Sequence, residues 1–342
     1  MDKTAIVILN WNGIEYLKQF LGTVVKNSSS PGTVIYVADN GSTDGSSDWV
    51  ALNYPSVRLI RSEKNLGFAG GYNFALQQVD AKYFILLNSD IEVTEGWTEP
   101  LIDFMEKNSD AAACQPKIRS WNKRDDFEYA GAAGGYIDKY GYPFCRGRIF
   151  YSVEKDEGQY DTSADIFWTS GACMIVRADA WRKCYGLDAD FFAHMEEIDM
   201  CWRFHLSGYR VCYIPGSVVY HVGGGSLPYD SPFKTYLNFR NNLFMLYKNL
   251  PDKKLHYILF VRKMMDGLTA VSYLFTGRFG NIKSIWNAHL DYYRNIGPLK
   301  EKREAVKRLS VSQTVKFILN KSIVFEFYIK GKKNFSELNL NF

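Results

Sequence analysis

Over the first 110 residues, short apolar runs that end in Asn, Asp or Gly alternate with stretches whose apolar residues recur every three or four positions. The runs predict buried strands and the stretches predict amphipathic helices. Thr4 to Leu9 is predicted as a strand, followed by the turn Asn10-Trp11-Asn12-Gly13. Ile14, Leu17, Leu21 and Val24 then share one helix face, with Asn12 as N-cap. Thr33 to Ala38 and Val57 to Ile60 are further strands, and Asp44 is placed to cap a short helix running toward Leu52. The Gly-rich "NLGFAGGYNFAL" leads into a helix from about Phe68 to Val79. Tyr83 to Val93, "YFILLNSDIEV", is the most apolar strand. A helix from about Trp97 to Lys107, capped by Thr94, and a strand over Ala111 to Ile118 follow. Alternation of this kind predicts an α/β half that binds a nucleotide.

The pattern then loosens. Residues 119–165 are polar, aromatic and Gly-rich and read as loops and short strands, with a hairpin around Tyr140-Gly141. Residues 166–176, "IFWTSGACMIV", read as a strand pair around a small-residue turn, and Asp179 to Cys184 as one or two helical turns. A helix from about Glu196 ends before Gly208, a residue suited to the position after a helix. Strands over 209–214 and 217–222 join through Pro215-Gly216. From Pro232 onward, segments 235–249, 253–275 and 284–308 look helical. The division expected is an α/β domain over 1–230 and a helical extension over 231–342.

Composition narrows this little. Charged residues make up 23% and the formal net charge is +4, too mild to indicate nucleic acid as a partner. The six cysteines show no close-paired spacing and sit in apolar runs, which predicts reduced buried thiols and no zinc site. The first apolar run is too short for a signal peptide, and the longest later one, Leu255 to Phe275, is broken by Arg262, Lys263 and Asp266. A membrane-spanning helix is therefore not expected. Basic-aromatic segments in the extension could instead lie on a membrane surface.

The chemistry concentrates in three places. Asn88-Ser89-Asp90 follows a buried strand, where open α/β sheets place their ligands. A carboxylate there can hold a hard cation, or it can cap a turn. Gly67, Gly70 and Gly71 either let backbone approach a ligand or let a helix pack closely on the sheet. They match neither the dinucleotide fingerprint nor the phosphate-binding P-loop. Glu196 and Glu197 lie in a first helical turn, where the helix dipole favours negative charge, and Asp199 can pair with Arg203 four residues on. His221 ends a strand before Gly223-Gly224-Gly225, either as a metal ligand or as a packed imidazole.

In order, "VILNWNG", "VADNGSTDGS", "NLGFAGGYNFAL", "LLNSDIEV", "WTSGACMIVRADAW", "FFAHMEEIDMCWR" and "HVGGGS" resemble the family-2 inverting glycosyltransferases of the GT-A fold, in particular bacterial rhamnosyltransferase-like enzymes. The resemblance covers roughly residues 1–245. It implies a GT-A mixed sheet flanked by helices and transfer of a single sugar from a nucleotide-diphosphate donor, with dTDP-L-rhamnose or a UDP-sugar as best fits. The acceptor implied is a glycan or polyprenyl-linked sugar in cell-surface polysaccharide synthesis. The implied location is the cytoplasm, peripheral to the inner face of the plasma membrane.

The same resemblance implies residue roles. Asp39 would bind the donor's base, with Asn10, Trp11, Asn12, Asn65 and Gly67 lining the nucleotide pocket. Asn88 and Asp90 would stand where the family has its D-x-D motif, and Asp90 with His221 would hold Mg²⁺ or Mn²⁺ against the diphosphate. Glu197 falls at the family's base position, with Glu196 and Asp199 as neighbouring alternatives. Trp168, Gly171 and Ala172 would border the acceptor, and Arg240 would reach the diphosphate or cover an acidic face. Two departures stand out: one carboxylate in Asn88-Ser89-Asp90 instead of two, and Glu197 in place of the usual Asp. A non-catalytic nucleotide-sugar or glycan-binding protein and a sugar nucleotidyltransferase are the competing readings. The latter lacks its expected N-terminal Gly-x-Gly-Thr-Arg.

Overall fold

The structure, a computed structural model, describes residues 2–223, 231–312, 315–338 and 340; Gly224, Gly225 and Ser226 of the last motif lie outside them. In chain order the first half runs β1 (Asp2–Asn10), α1 (Ile14–Asn27), β2 (Thr33–Asp39), α2 (Ser46–Asn53), β3 (Arg58–Arg61), α3 (Gly67–Leu76), β4 (Ala81–Asn88), β5 (Ile91–Val93), α4 (Thr98–Lys107) and β6 (Ala111–Ser120). Short strands β7 (Gly135–Asp138), β8 (Pro143–Cys145), β9 (Arg148–Ile149), β10 (Ser152–Val153) and β11 (Ala164–Asp165) follow. Then come β12 (Cys173–Arg177), α5 (Ala178–Lys183), α6 (Glu196–Leu206) and β13 (Arg210–His221). The remainder is α7 (Pro232–Asn249), α8 (Asp252–Phe275), α9 (Phe279–Arg294), α10 (Ile296–Leu309), β14 (Ile318–Leu319) and α11 (Ile323–Tyr328).

Among the described residues the main sheet has the order β11-β13-β6-β12-β4-β1-β2-β3, with β5 added on β13. β1, β2, β3 and β4 are parallel to their neighbours in that set, whereas β12 runs antiparallel between β4 and β6. The sheet is covered on both faces, which is why β1 and β4 are continuous apolar runs. Ile6, Ile8, Ile85 and Leu87 point to the side covered by Leu17, Leu21 and Leu101. Their chain neighbours Ala5, Val7, Phe84 and Leu86 point to the side covered by Ala69, Tyr72 and Trp181. Leu86 is fully buried, so Leu86→Ala would cost about 2–5 kcal/mol through lost burial and a residual cavity.

A second sheet, β10-β9-β8-β7-β14, carries the predicted hairpin around Tyr140-Gly141. Its last strand comes from the C-terminal segment, whose Ile318 and Leu319 pair with Ile137 and Asp138. All six cysteines are buried and unpaired, as their apolar settings predict. No described helix is long and apolar enough to cross a membrane.

Several local expectations are corrected. Asn12 does not cap α1: Ile14 N donates to Asp44 Oδ2 at 2.9 Å, and Asp44 Oδ1 accepts from Ser46 N at 3.1 Å, so one carboxylate serves the starts of α1 and α2. Burial raises the Asp44 carboxyl, but those hydrogen bonds outweigh it and hold the group below its ordinary value. Thr94 does not cap α4; its hydroxyl donates to Val218 O at 2.8 Å and ties β5 to β13. The run 83–93 is two strands, because Ser89-Asp90 turns β5 away onto β13. Residues 166–176 do not form a strand pair; β12 inserts between β4 and β6 instead. The two strands proposed around Pro215-Gly216 are one, β13, with a bulge between Ile214 and Val218 that absorbs the proline. Residues 284–308 are two helices, separated at Asn295.

Candidate active site

β1 sits between β2 and β4, and the chain leaves these strands in opposite directions. In open α/β sheets the ligand crevice lies at that point, beyond the carboxyl ends of the strands. Register brings Asn10 opposite Asp39 and Leu9 opposite Asn88, so three polar residues end adjacent strands. Asn10 is buried and donates to Ser46 Oγ at 2.9 Å. Asp39 Oδ1 accepts from Ser42 N at 3.3 Å. Trp11 is half exposed beside Asn12, whose positive φ of 50° lets its Oδ1 accept from Thr43 N at 2.7 Å.

Asn65 Oδ1 accepts from Gly67 N and from Asn40 Nδ2, at 2.8 and 3.0 Å. Gly67 has φ of +73°, and a Cβ there would lie 2.5 Å from the Phe192 ring. Phe68 N and Ala69 N donate to Phe192 O, so the start of α3 is occupied by the chain's own carbonyl. The close approach that Gly67 permits is to Phe192.

Asp90 lies in the turn after β4 and His221 ends β13. His221 Nε2 is 3.1 Å from Asp90 Oδ1, and both are buried. The other ring nitrogen, Nδ1, faces Glu128 Oε1 at 3.4 Å, an ion-pair distance without hydrogen-bond geometry. Glu128 is itself buried and accepts from Ala130 N at 2.5 Å. Burial works against a charged imidazole, but the Asp90 and Glu128 carboxylates outweigh it and hold His221 well above its ordinary value. Burial likewise opposes ionisation of Asp90, and His221 reverses that, holding the carboxyl below its ordinary range.

Sequence reasoning missed Glu128. It lies in an aperiodic loop, where its one signal is a carboxylate just ahead of the Gly/Ala-rich "AGAAGG".

The donor set suits a divalent cation. A carboxylate oxygen and an imidazole nitrogen face each other, and a second carboxylate sits behind the ring, an arrangement that orients ligating histidines. Among the described residues no three His, Cys, Asp or Glu side chains converge as a closed metal cage. An ion held here would complete its shell with substrate phosphates and water, the usual habit of Mg²⁺.

On the other side, Asn88 N donates to Ala172 O at 2.9 Å. A Cβ on Gly171 would lie 3.0 Å from the Phe68 ring and 3.9 Å from Glu197 Cβ. Gly171 and Ala172 therefore link the end of β4 to the start of α6. Burial pushes the Glu197 carboxyl up to about 7, although the amides of Glu197, Ile198 and Met195 pull the other way. Glu196 is raised well above its ordinary value by burial and then by the Glu197 charge. Each has one buried carboxylate oxygen, Oε2, without a hydrogen-bond partner. Burial also pushes the Cys145 thiol up, and among the charges acting on it are both Glu128 and Glu197. That thiol lies within electrostatic reach of both carboxylates.

Other residues go elsewhere. Asp199 is fully buried, bound to Arg203 at 3.0 Å, Lys248 at 2.9 Å and Asn249 at 2.7 Å. Trp168 is buried against Gly135 and donates to Tyr136 O at 2.9 Å, joining the second sheet to the first. Arg240 donates to Asp190 O at 2.8 Å and Phe191 O at 3.1 Å.

Comparison with known proteins agrees with this architecture. A family model described as Glycosyl transferase family 2 matches residues 5–182. The chain is 28% identical over 238 residues to the N-acetylglucosaminyl-diphospho-decaprenol L-rhamnosyltransferase of Mycobacterium tuberculosis, covering 64% of this chain and 76% of that one. It is 24% identical over 221 residues to the rhamnosyltransferase WbbL of Escherichia coli K12, covering 63% and 82%. Among solved structures, GalNAc-T7 with UDP, GalNAc and Mn²⁺ superposes with a TM-score of 0.57 at 15% identity, over 72% of this chain and 48% of that chain. The chain thus spans about half the length of GalNAc-T7. The mannosyltransferase PcManGT from Pyrobaculum calidifontis, with GDP-Man and Mn²⁺, gives 0.52 at 11% identity, over 90% and 85%. These likenesses show the fold.

Proposed function

The chain belongs to glycosyl transferase family 2 and is a glycosyltransferase of polysaccharide synthesis with the GT-A fold, and from that premise we propose that it moves a single L-rhamnose from dTDP-rhamnose to a lipid-linked sugar. The relatives named for rhamnosyl transfer, one of them onto a diphospho-decaprenol acceptor, support the donor and acceptor class. One observation carries the chemistry. A buried Asp90–His221 pair lies beyond the end of β4, and Gly171 and Ala172 connect that strand end to Glu197, whose carboxyl burial raises to about 7; we read the two as one site.

In this reading Asp39 and the Asn10–Gly13 turn receive the nucleotide, and Asp90 with His221 faces the diphosphate. A divalent cation, Mg²⁺ or Mn²⁺, would be held by those two residues and would supply charge neutralisation for the leaving nucleoside diphosphate. Glu128 orients the imidazole from behind. Glu197 takes the proton from the acceptor hydroxyl, which then attacks the anomeric carbon on the face opposite the leaving group, so the configuration inverts. A carboxyl with a pKa near the working pH is well matched to that task. The test is turnover of dTDP-rhamnose by wild type and Glu197→Gln, with dTDP and UDP titrated calorimetrically with and without Mn²⁺. Expected is about a 10²-fold fall in turnover with nucleotide binding intact. Near-normal turnover in the variant would refute the base assignment, and preference for UDP would refute the donor.

The same reading places the enzyme in the cytoplasm, against the inner face of the plasma membrane. The α8–α9 hairpin supports this: Phe260, Met264, Leu268, Leu274, Phe275, Phe279 and Trp286 are all more than half exposed. Between Lys253 and His289 the one acidic residue is Asp266, buried between Arg262 and His289. Exposed apolar residues with exposed lysines at 253, 254 and 283 suit an anionic lipid surface, and the exposed Asp252 that starts α8 is paired with Arg303 and Lys307. A groove of about 600 Å³ lined by Met265 of α8, by Phe325 and Tyr328 of α11 and by Ile329 just after it extends this surface.

A further inference from the structure

The segment joining Asp188 to α6 is a single 3-10 turn, Ala189–Phe191, followed by a strained stretch. Phe192, His194 and Met195 have φ of 64°, 69° and 72°, a region that side chains other than glycine rarely adopt. Each such residue costs on its own, and a cluster persists only where the surroundings hold it. Here every carbonyl from Asp190 to His194 is taken by a donor from another element. Asp190 O accepts from Arg240, and Phe191 O from Arg240 and Asn241. Phe192 O accepts from Phe68 N and Ala69 N at the start of α3, while Ala193 O and His194 O accept from Asn241. The single amide nitrogen of Asn241 lies 2.9, 2.9 and 2.8 Å from Phe191 O, Ala193 O and His194 O, so that its two hydrogens are shared among three acceptors, and the residue is fully buried. Its orientation is set chemically: Arg240 Nε donates to Asn241 Oδ1 at 2.9 Å, which leaves the NH₂ facing the carbonyls.

The segment delivers Glu196 and Glu197, the first residues of α6, directly after its last strained residue. Met195, at the N-cap, adopts the left-handed conformation and makes no side-chain cap bond. The direction in which α6 starts is therefore fixed by the turn before it. Four of the five carbonyls of that turn are held by two adjacent residues of α7, and the fifth by the start of α3; α7 is a helix that the family match over 5–182 does not reach.

We infer that Arg240 and Asn241 are positioning residues for the transfer reaction, a clamp through which α7 holds the 189–195 turn so that Glu197 meets the acceptor in a fixed orientation. This rests on the reading of Glu197 as the base. It assigns Arg240 to the protein's own backbone instead of the diphosphate, and it makes α7 part of the active site. Neither residue touches the substrate in this account; both act through Glu197.

The experiment compares wild type, Asn241→Ala, Arg240→Gln and Glu197→Gln by steady-state kinetics from pH 5 to 9, with circular dichroism and nucleotide titration as controls on folding. Removing the clamp lets the turn relax and exposes Glu197, already partly accessible, more fully to water. Asn241→Ala should lose about 10²-fold in kcat, the usual cost of misplacing a catalytic group by about 1 Å, with the KM for donor little changed. Its acidic limb should move from near 7 toward the ordinary carboxylate range near pH 4–5. Arg240→Gln, which leaves Asn241 in place but unoriented, should show the same shift to a smaller degree and serves if Asn241→Ala does not fold. Unchanged kcat and limb in a folded variant would overturn the clamp. So would a fall in kcat with the acidic limb still near 7, which is what general loosening would produce. If Glu197→Gln turns over normally, the base reading itself fails. If Glu197→Gln is inactive while Asn241→Ala behaves as wild type, the clamp alone fails.

Discussion

Glu197 and Asp199 start the same helix two residues apart, about 200° around its axis, and the structure sends them to opposite surroundings. Asp199 is fully buried and ion-paired to Arg203 and Lys248. Glu197 lies behind Gly171 with one oxygen unpartnered. The consequence for pH is definite in sign. A base works only when deprotonated, so turnover should be low below about 7, rise through it and level off above. A pH–rate profile on kcat checks this; a limb near the ordinary Glu value of about 4.3 would contradict it.

The same carboxyl has a stability signature. Its folded pKa is raised, so folding favours the protonated form. The contribution is intact below about 4.5 and is lost as pH rises through about 7. Glu197→Gln should therefore be more stable than wild type at pH 8, by at most about 3 kcal/mol, and close to it at pH 4.5. Thermal unfolding at the two pH values measures the difference.

Asp199 predicts the reverse kind of variant. Lys248 is almost fully buried and shared between Asp188 and Asp199. Lys248→Met leaves Asp199 with Arg203 and Asp188 with Lys302 but removes the cation they share, and should cost up to about 3 kcal/mol, read by denaturant unfolding. Reduced activity there should follow the folded fraction, with kcat per folded molecule preserved.

For the cation, Asp90→Ala should abolish the strengthening of nucleotide binding by Mn²⁺. Glu128→Gln, which leaves both facing donors in place, should weaken it by about 10–100-fold. Calorimetric titration of dTDP at fixed Mn²⁺ gives both numbers. Binding indifferent to metal in wild type would remove the cation from the site.

Replacing Leu274 and Phe275 together by Ser should abolish binding to vesicles containing phosphatidylglycerol while leaving turnover on a water-soluble acceptor unchanged. Vesicle flotation, with phosphatidylcholine alone as the control, measures it. Size exclusion shows whether the residues serve self-association instead.

The strands and helices of the first half were legible because both faces of the sheet are covered. β1, β2 and β4 read as apolar runs ending in the polar residues Asn10, Asp39 and Asn88, with Asp90 just beyond, and the family resemblance gave those ends their roles. What could not be read depends on distant partners. Asn12 looks like a cap until Asp44, 30 residues beyond Ile14, supplies the bond instead. Pro215-Gly216 looks like a turn until β6 accommodates it as a bulge. Glu128 has no periodic context, and its relation to His221 appears only when β13 returns beside β6. Asn241 reads as an ordinary polar helix residue, because the three carbonyls it binds lie 47–50 residues earlier and have no sequence signature.

Asp138 shows what the second sheet implies for biosynthesis. One of its oxygens is bound by Tyr140 N and Tyr142 N within its own hairpin, while the other waits for Ile323 N, 185 residues later. β14, which pairs beside it, is made almost as late. The first-half strands have close partners and can pair while the ribosome is still translating, but this sheet cannot close until residue 323 has left the exit tunnel. Pairings over such separations are slow to form. A nascent chain stalled before that point would show a formed nucleotide-binding half and an open edge at β7, a surface for chaperones to cover.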